Sequence, residues 1–255
     1  MISMFEFLHS FNLDVWQWLL AIIAVAGIGA NKTGIVGINL LSVAILAAIF
    51  GGKASTGVLM PFLIMADIFA ISHYRRSVRW KHLFTILFWA LLGVSAALYV
   101  GEIIADEYFR IILAAVIFTL LAMTVLSEMS GKRFHPKKHW YVTIFIGLIG
   151  GFTSMIGNAA GPIFTLYFVS LRHTKNEYIA TRAWFFFIIN LIKIPLHLFV
   201  WETINPTTLS FNLVLAPAIF LGAVAGILIV RRIPERGYKV FILTATLVSA
   251  IMLLF

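Results

Sequence analysis

The chain has 255 residues, of which 62% are hydrophobic and only 11% charged, and its mean hydropathy is +1.01. A soluble domain of that length needs far more charge to dress its surface, so a soluble protein is excluded. A formal net charge of +9 would suggest nucleic acid in a soluble chain; here the basic residues sit in short loops between apolar runs, and no nucleic-acid partner is expected. Cysteine is absent, which rules out disulfides and thiolate metal sites.

Residues 1–14 carry Glu6 and Asp14 but no lysine or arginine before the first apolar run. A cleaved secretory leader is therefore not expected, and the acidic start belongs outside. Ten apolar segments follow, at 15–30, 38–50, 56–72, 83–100 and 109–127, then 140–157, 162–171, 178–200, 211–230 and 238–255. All should be α-helical, because hydrocarbon cannot satisfy an open sheet edge. The expected fold is an all-α polytopic membrane protein. Segments 38–50 and 162–171 are short for a bilayer that takes roughly 20 residues to cross. Each follows a glycine-rich break, with Gly27, Gly29, Gly34 and Gly37 before the first and Gly150, Gly151, Gly157 and Gly161 around the second. These segments are either spanning or re-entrant, and loop parity is the same in both cases.

Four basic clusters punctuate the chain. They are Arg75, Arg76, Arg79 and Lys81; Lys132, Arg133, Lys137 and Lys138; Arg172 and Lys175; and Arg231, Arg232, Arg236 and Lys239. The alternate loops are acidic or neutral, with Glu102, Asp106, Glu107 and Glu202. That alternation follows the positive-inside rule and predicts cytoplasmic basic loops with both termini outside.

An offset of 123 residues lays Gly27 on Gly150, Gly34 on Gly157, Phe62 on Phe185 and Asp67 on Asn190. Residues 1–130 and 131–255 thus read as two five-segment repeats within one membrane domain. Five is odd, so the second copy enters the membrane from the opposite side. Inverted repeats with interrupted helices in matching positions characterise secondary transporters, and the interruptions mark the substrate site.

Charged and strongly polar residues far from the interfaces are functional candidates. Those of the first half are Asn31, Lys32, Asn39 and Asp67; those of the second are Asn158, Arg182, Asn190, Lys193 and His197. In the eighth segment Arg182, Phe186, Asn190, Lys193 and His197 recur at helical spacing, which places them on one face. Lipid would reject such a stripe, so it should face the interior. Arg182 stands either in that stripe or at the inner headgroup level, and His197 serves either a polar path or packing. Asp67 can pair with a cation of the other half, as a structural pair or as a proton carrier. The break at Gly157, Asn158, Gly161 and Pro162 offers free N–H groups and the positive end of a helix to a small anion. Asn31, Lys32, Thr33 and Gly34 form the counterpart, with Lys32 adding a full charge. Close helix packing by the glycines is compatible with that role. No nucleophile elbow, zinc-protease signature, phosphate loop or dinucleotide fingerprint occurs; no catalytic residue, metal site or cofactor is expected, and an enzyme is not.

These motifs together resemble the TauE/SafE family, the sulfite-exporter-like permeases. The resemblance rests on glycine-rich 26–37, on Met-Pro-Phe-Leu-Ile-Met-Ala-Asp-Ile at 60–68, and on Tyr-Arg-Arg-Ser-Val-Arg-Trp-Lys at 74–81. In the second half it rests on Gly-Phe-Thr-Ser-Met-Ile-Gly-Asn-Ala-Ala-Gly-Pro at 151–162, Ala-Thr-Arg-Ala at 180–183 and Asn-Leu-Ile-Lys-Ile-Pro at 190–195. Pro217, Gly222, Gly226 and the run Arg-Arg-Ile-Pro at 231–234 follow in order. One departure is that Asn39 stands where the second half has Pro162. The resemblance implies a carrier of small anions, above all sulfur oxyanions and organosulfonates such as sulfite or sulfoacetate, often outward, in a bacterial inner membrane, as monomer or homodimer among lipids. The expected assignment makes Lys32 and Lys193 charge partners of the substrate, with Thr181, Asn158 and Asn190 as hydrogen-bonding groups. The alternative is an anion channel or a proton/cation antiporter in which Asp67 is the working charge.

Overall fold

A computed structural model describes residues 11, 13–32, 38–74, 78–129, 140–171 and 175–230. They form α1 (Val15–Lys32), α2 (Ile38–Phe50), α3 (Gly52–Tyr74), α4 (Trp80–Ile103), α5 (Asp106–Met129), α6 (Trp140–Gly157), α7 (Gly161–Ser170), α8 (Lys175–Phe199) and α9 (Pro206–Val230). Each expected segment from 15 to 230 appears as a helix, usually longer by one turn or less at its ends. The expected tenth segment, 238–255, lies outside the described residues, as do most of the basic clusters.

Six of these helices are long and apolar enough to cross a membrane: α1, α4 and α6 whole, and the windows Gly52–Phe69 of α3, Ala180–Phe199 of α8 and Pro206–Gly226 of α9. Helix α2 is apolar but has only 13 residues, and α7 has 10. Large apolar side chains are exposed along the outer faces, among them Phe84, Phe88, Phe145, Phe199, Leu213 and Leu221. In water such a surface would aggregate; in hydrocarbon it is the natural exterior. The interior is packed by Phe62, Phe164, Phe168, Phe185 and Phe211, each essentially inaccessible.

The two most extensive helix contacts are α4 against α6 and α1 against α9. Both depend on small residues that bring backbones together, the usual basis of helix association where apolar burial gives no drive. A Cβ at Gly151 of α6 would overlap the carbonyl oxygen of Ala90, and one at Gly93 of α4 would overlap that of Leu148. The other pair behaves alike: Gly29 of α1 abuts the carbonyl of Ile219, and Gly222 of α9 that of Ala26. Asn212 of α9 also donates from Nδ2 to the Val58 oxygen of α3 at 2.9 Å.

The break between α6 and α7 is set by Asn158. Its φ of 51° is the left-handed conformation that asparagine tolerates better than most residues. Helix α6 therefore stops at Gly157, and α7 starts afresh at Gly161 in a new direction.

Replacing Gly151 or Gly222 by alanine should lower the thermal stability of the detergent-solubilised protein by roughly 1–3 kcal/mol, the usual cost of overpacking. Gly161, where an added Cβ meets nothing within 4 Å, should accept alanine with little change. Equal midpoints for all three variants would contradict this packing.

Candidate functional site

Four helix ends or interruptions converge on one cavity. The last turn of α1 brings Asn31 and Lys32, the first turn of α2 brings Asn39, the end of α6 brings Ser154 and Asn158, and the start of α7 brings Gly161. Helix α8 completes the wall with Arg182, Phe186 and Asn190. The cavity has a volume of about 40 Å³, on the order of three water-sized groups. It suits a ligand of a few heavy atoms.

The wall is cationic. Lys32 Nζ lies 5.0 Å from the ring centre of Phe186, and the Arg182 guanidinium lies 5.5 Å from the same ring. An aromatic face attracts both cations and gathers them in one place. Lys32 is ion-paired with Asp67 Oδ1. The other carboxylate oxygen, Oδ2, accepts from Asn190 Nδ2 at 2.8 Å, so Asp67 is held from both α1 and α8. Arg182 has no ion pair among the described residues, and its Nε is buried without a hydrogen-bond partner. A buried donor of this kind costs free energy until an acceptor arrives.

Lys193 stands behind this wall, fully buried. Its ammonium donates to Asn158 Oδ1 at 2.6 Å, to the Ser154 carbonyl at 2.7 Å and to Ser154 Oγ at 3.2 Å. Three N–H donors thus meet three neutral acceptors. Asn158 passes the connection on: its Nδ2 donates to the Thr56 oxygen at 3.3 Å, and its own carbonyl accepts from Asn39 Nδ2 at 3.0 Å. Helices α2, α3, α6 and α8 are therefore tied at one residue. Among the four interior charges Lys32, Asp67, Arg182 and Lys193, only Asp67 is negative.

The expected site residues divide into three groups. Asn31, Lys32, Asn158, Gly161, Arg182 and Asn190 line the cavity together. Others do not reach it. Lys193 is engaged with Asn158 and Ser154, so the direct charge contact expected of it is replaced by support of the wall. Thr181 is buried, and its hydroxyl accepts from the Arg79 backbone N–H at 2.9 Å, which ties α8 to the start of α4. Gly157 faces Leu113 of α5. His197 is buried further along α8, where Nδ1 meets Thr203 Oγ1 at 2.8 Å and the ring packs edge-on against Trp201. Thr33 and Gly34 lie outside the described residues; Pro162 occupies the first turn of α7.

Sequence reasoning left Ser154 and Leu63 out, yet both line the cavity. The repeat register could have found them. Ser154 lies 123 positions after Asn31, and Phe186 lies 123 after Leu63, the same spacing that links Asp67 to Asn190. Arg182 shares the cavity wall with Phe186 and Asn190, its guanidinium 5.5 Å from the Phe186 ring centre.

Lys193→Met should destabilise the detergent-solubilised protein by roughly 1–3 kcal/mol, since it strands the acceptors on Asn158 and Ser154. Arg182→Gln should leave the thermal midpoint nearly unchanged. The reverse ranking would assign the supporting role to the wrong cation.

No curated protein and no solved structure matches the chain. Residues 18–253 match the model of a family described as sulfite exporter TauE/SafE. That match spans nearly all of the chain and includes every cavity residue. The chain belongs to the TauE/SafE sulfite exporter family and is an integral, multi-pass membrane transporter.

Proposed function

We propose that this protein is a secondary carrier of small sulfur oxyanions or sulfonates, sulfite foremost, and that the cavity walled by Lys32 and Arg182 is its substrate site. The observation that carries the reading is the charge of the wall: two cations converge on Phe186, while the one nearby carboxylate is already held by Lys32 and Asn190. A small anion would give Arg182 Nε its missing acceptor and balance the interior charge. The start of α7 adds the positive end of a helix with open space in front of Gly161, the usual setting for a bound anion.

In this reading the chain consists of two inverted repeats, 1–130 and 131–255, with the cavity on their pseudo-twofold axis. Support comes from the exchange of partners. Helix α4 of the first half packs on α6 of the second, and α9 of the second packs on α1 of the first. Residues 123 apart also line one cavity, Asn31 and Ser154 as well as Leu63 and Phe186, and Asp67 accepts from Asn190 beside it. Rocking of one half against the other about this axis would expose the site alternately to the two faces of the membrane. Basic loops on the cytoplasmic face of a bacterial inner membrane place the Arg182 end of α8 inward, and the family's direction of transport is outward. Flux would be coupled to an ion gradient. A channel or antiporter run by Asp67 is the weaker reading, because that carboxylate is fully engaged.

Arg182→Gln in proteoliposomes should lower saturable sulfite flux by at least about tenfold, the loss expected for one charge-assisted hydrogen bond. Flux equal to the unmodified protein would remove Arg182 from the site. A non-saturating, ohmic current would replace the carrier with a channel.

A further inference from the structure

Resting on the substrate site proposed above, we infer that the cavity selects an oxyanion that still carries a proton, hydrogensulfite rather than sulfite or sulfate, and that Asn39 is the residue that selects it. The Asn39 amide has one defined orientation. Its Nδ2 donates to the Asn158 carbonyl at 3.0 Å. A carbonyl oxygen only accepts, so the nitrogen must be the end that points there. Oδ1 is then the other end, and it is buried with no hydrogen-bond partner. Asn39 lines the same cavity as Arg182, whose Nε is a buried donor equally without a partner.

Two residues of one cavity wall thus hold, among the described residues, a buried donor and a buried acceptor without partners. A bare anion can satisfy Arg182, but it sets negative oxygens beside Asn39 Oδ1 and leaves that acceptor stranded. A neutral donor could satisfy Asn39 and would leave the cations unbalanced. Only a monoanion bearing one hydrogen-bond donor answers both. Among sulfur oxyanions the hydroxyl form of hydrogensulfite has this pattern, and it exchanges its proton with sulfite near neutral pH. Sulfate carries no proton at that pH and fails the pattern. The proton travels on the substrate, so one hydrogensulfite leaving the cell removes one proton with it.

Asn39 occupies the position that corresponds to Pro162 in the second half of the chain. Proline has neither a side-chain acceptor nor an N–H, so the two halves differ here in chemistry as well as in shape. The charged side chains around the cavity are Lys32 on α1, Asp67 on α3, and Arg182 and Lys193 on α8; α2, which carries Asn39, has no titratable residue. Tyr141 on α6 and Tyr167 on α7 are not among the lining residues.

The test is calorimetric titration of the purified protein in detergent with three probes, from mildly acid to mildly alkaline pH: sulfite under anaerobic conditions, sulfate, and methanesulfonate. Methanesulfonate is a monoanion without a donor and does not titrate in that range. At constant total sulfite, apparent affinity should fall as pH rises, in step with the hydrogensulfite fraction. Sulfate and methanesulfonate should bind on the order of tenfold to a hundredfold more weakly, as expected when a buried acceptor is stranded. Asn39→Leu should abolish the preference, so that sulfite binds no better than methanesulfonate. The series on the unmodified protein stands whether or not that variant folds. Sulfite affinity that is flat or rising with pH overturns the proposal, as does a parallel fall for methanesulfonate, which would assign the titration to Asp67 or a lysine. Equal binding of all three anions overturns the selection by Asn39 and leaves the anion site standing, whereas binding of none overturns both.

Discussion

Asp67 is the point on which the interior charges are arranged. Its two carboxylate oxygens are divided between Lys32 at the end of α1 and Asn190 in the middle of α8, so one side chain joins the two halves of the chain. In a low-dielectric interior a carboxylate must be paired and hydrogen-bonded or else neutralised. Here both conditions are met, and they fix where Lys32 stands. Phe186 then stands beneath Lys32 and Arg182 together. Arg182 makes no ion pair among the described residues and lines the cavity.

Behind this arrangement a second network, centred on Asn158, does the shaping. Asn158 can adopt the left-handed turn that ends α6, and all four of its polar groups are used, toward Thr56, Asn39, Lys193 and the Ser154 carbonyl. A break in a membrane helix exposes backbone that lipid cannot satisfy, so it survives only where the surrounding side chains or backbone supply partners. Lys193 belongs to that support.

The helices were legible in the sequence because membrane helices announce themselves by apolar length, and the breaks announced themselves by glycine, asparagine and proline. The spacing of Arg182, Phe186, Asn190, Lys193 and His197 correctly read as one stripe on α8, yet the stripe spans much more than one site. Arg182, Phe186 and Asn190 line the cavity, Lys193 lies behind it, and His197 bonds to Thr203 near Trp201. Helical spacing tells which residues share a face and is silent about depth along it. Thr181 illustrates the same limit, since a hydroxyl next to Arg182 in sequence turns out to receive the Arg79 backbone instead.

What the sequence by itself determined is the class of molecule: a helical membrane chain with interrupted helices and cations within its apolar segments. These properties are carried by composition and local pattern, which need no partner to be expressed. The tertiary structure decided which cation is spent and which is free. Lys32 and Lys193 looked alike as candidate charges; one pairs with Asp67 at the cavity wall, and the other is consumed by Asn158 and Ser154. The choice between them depends on contacts over 35 and 39 residues of sequence. A buried charge is governed by the groups that surround it in space, and only the packed fold brings those groups together.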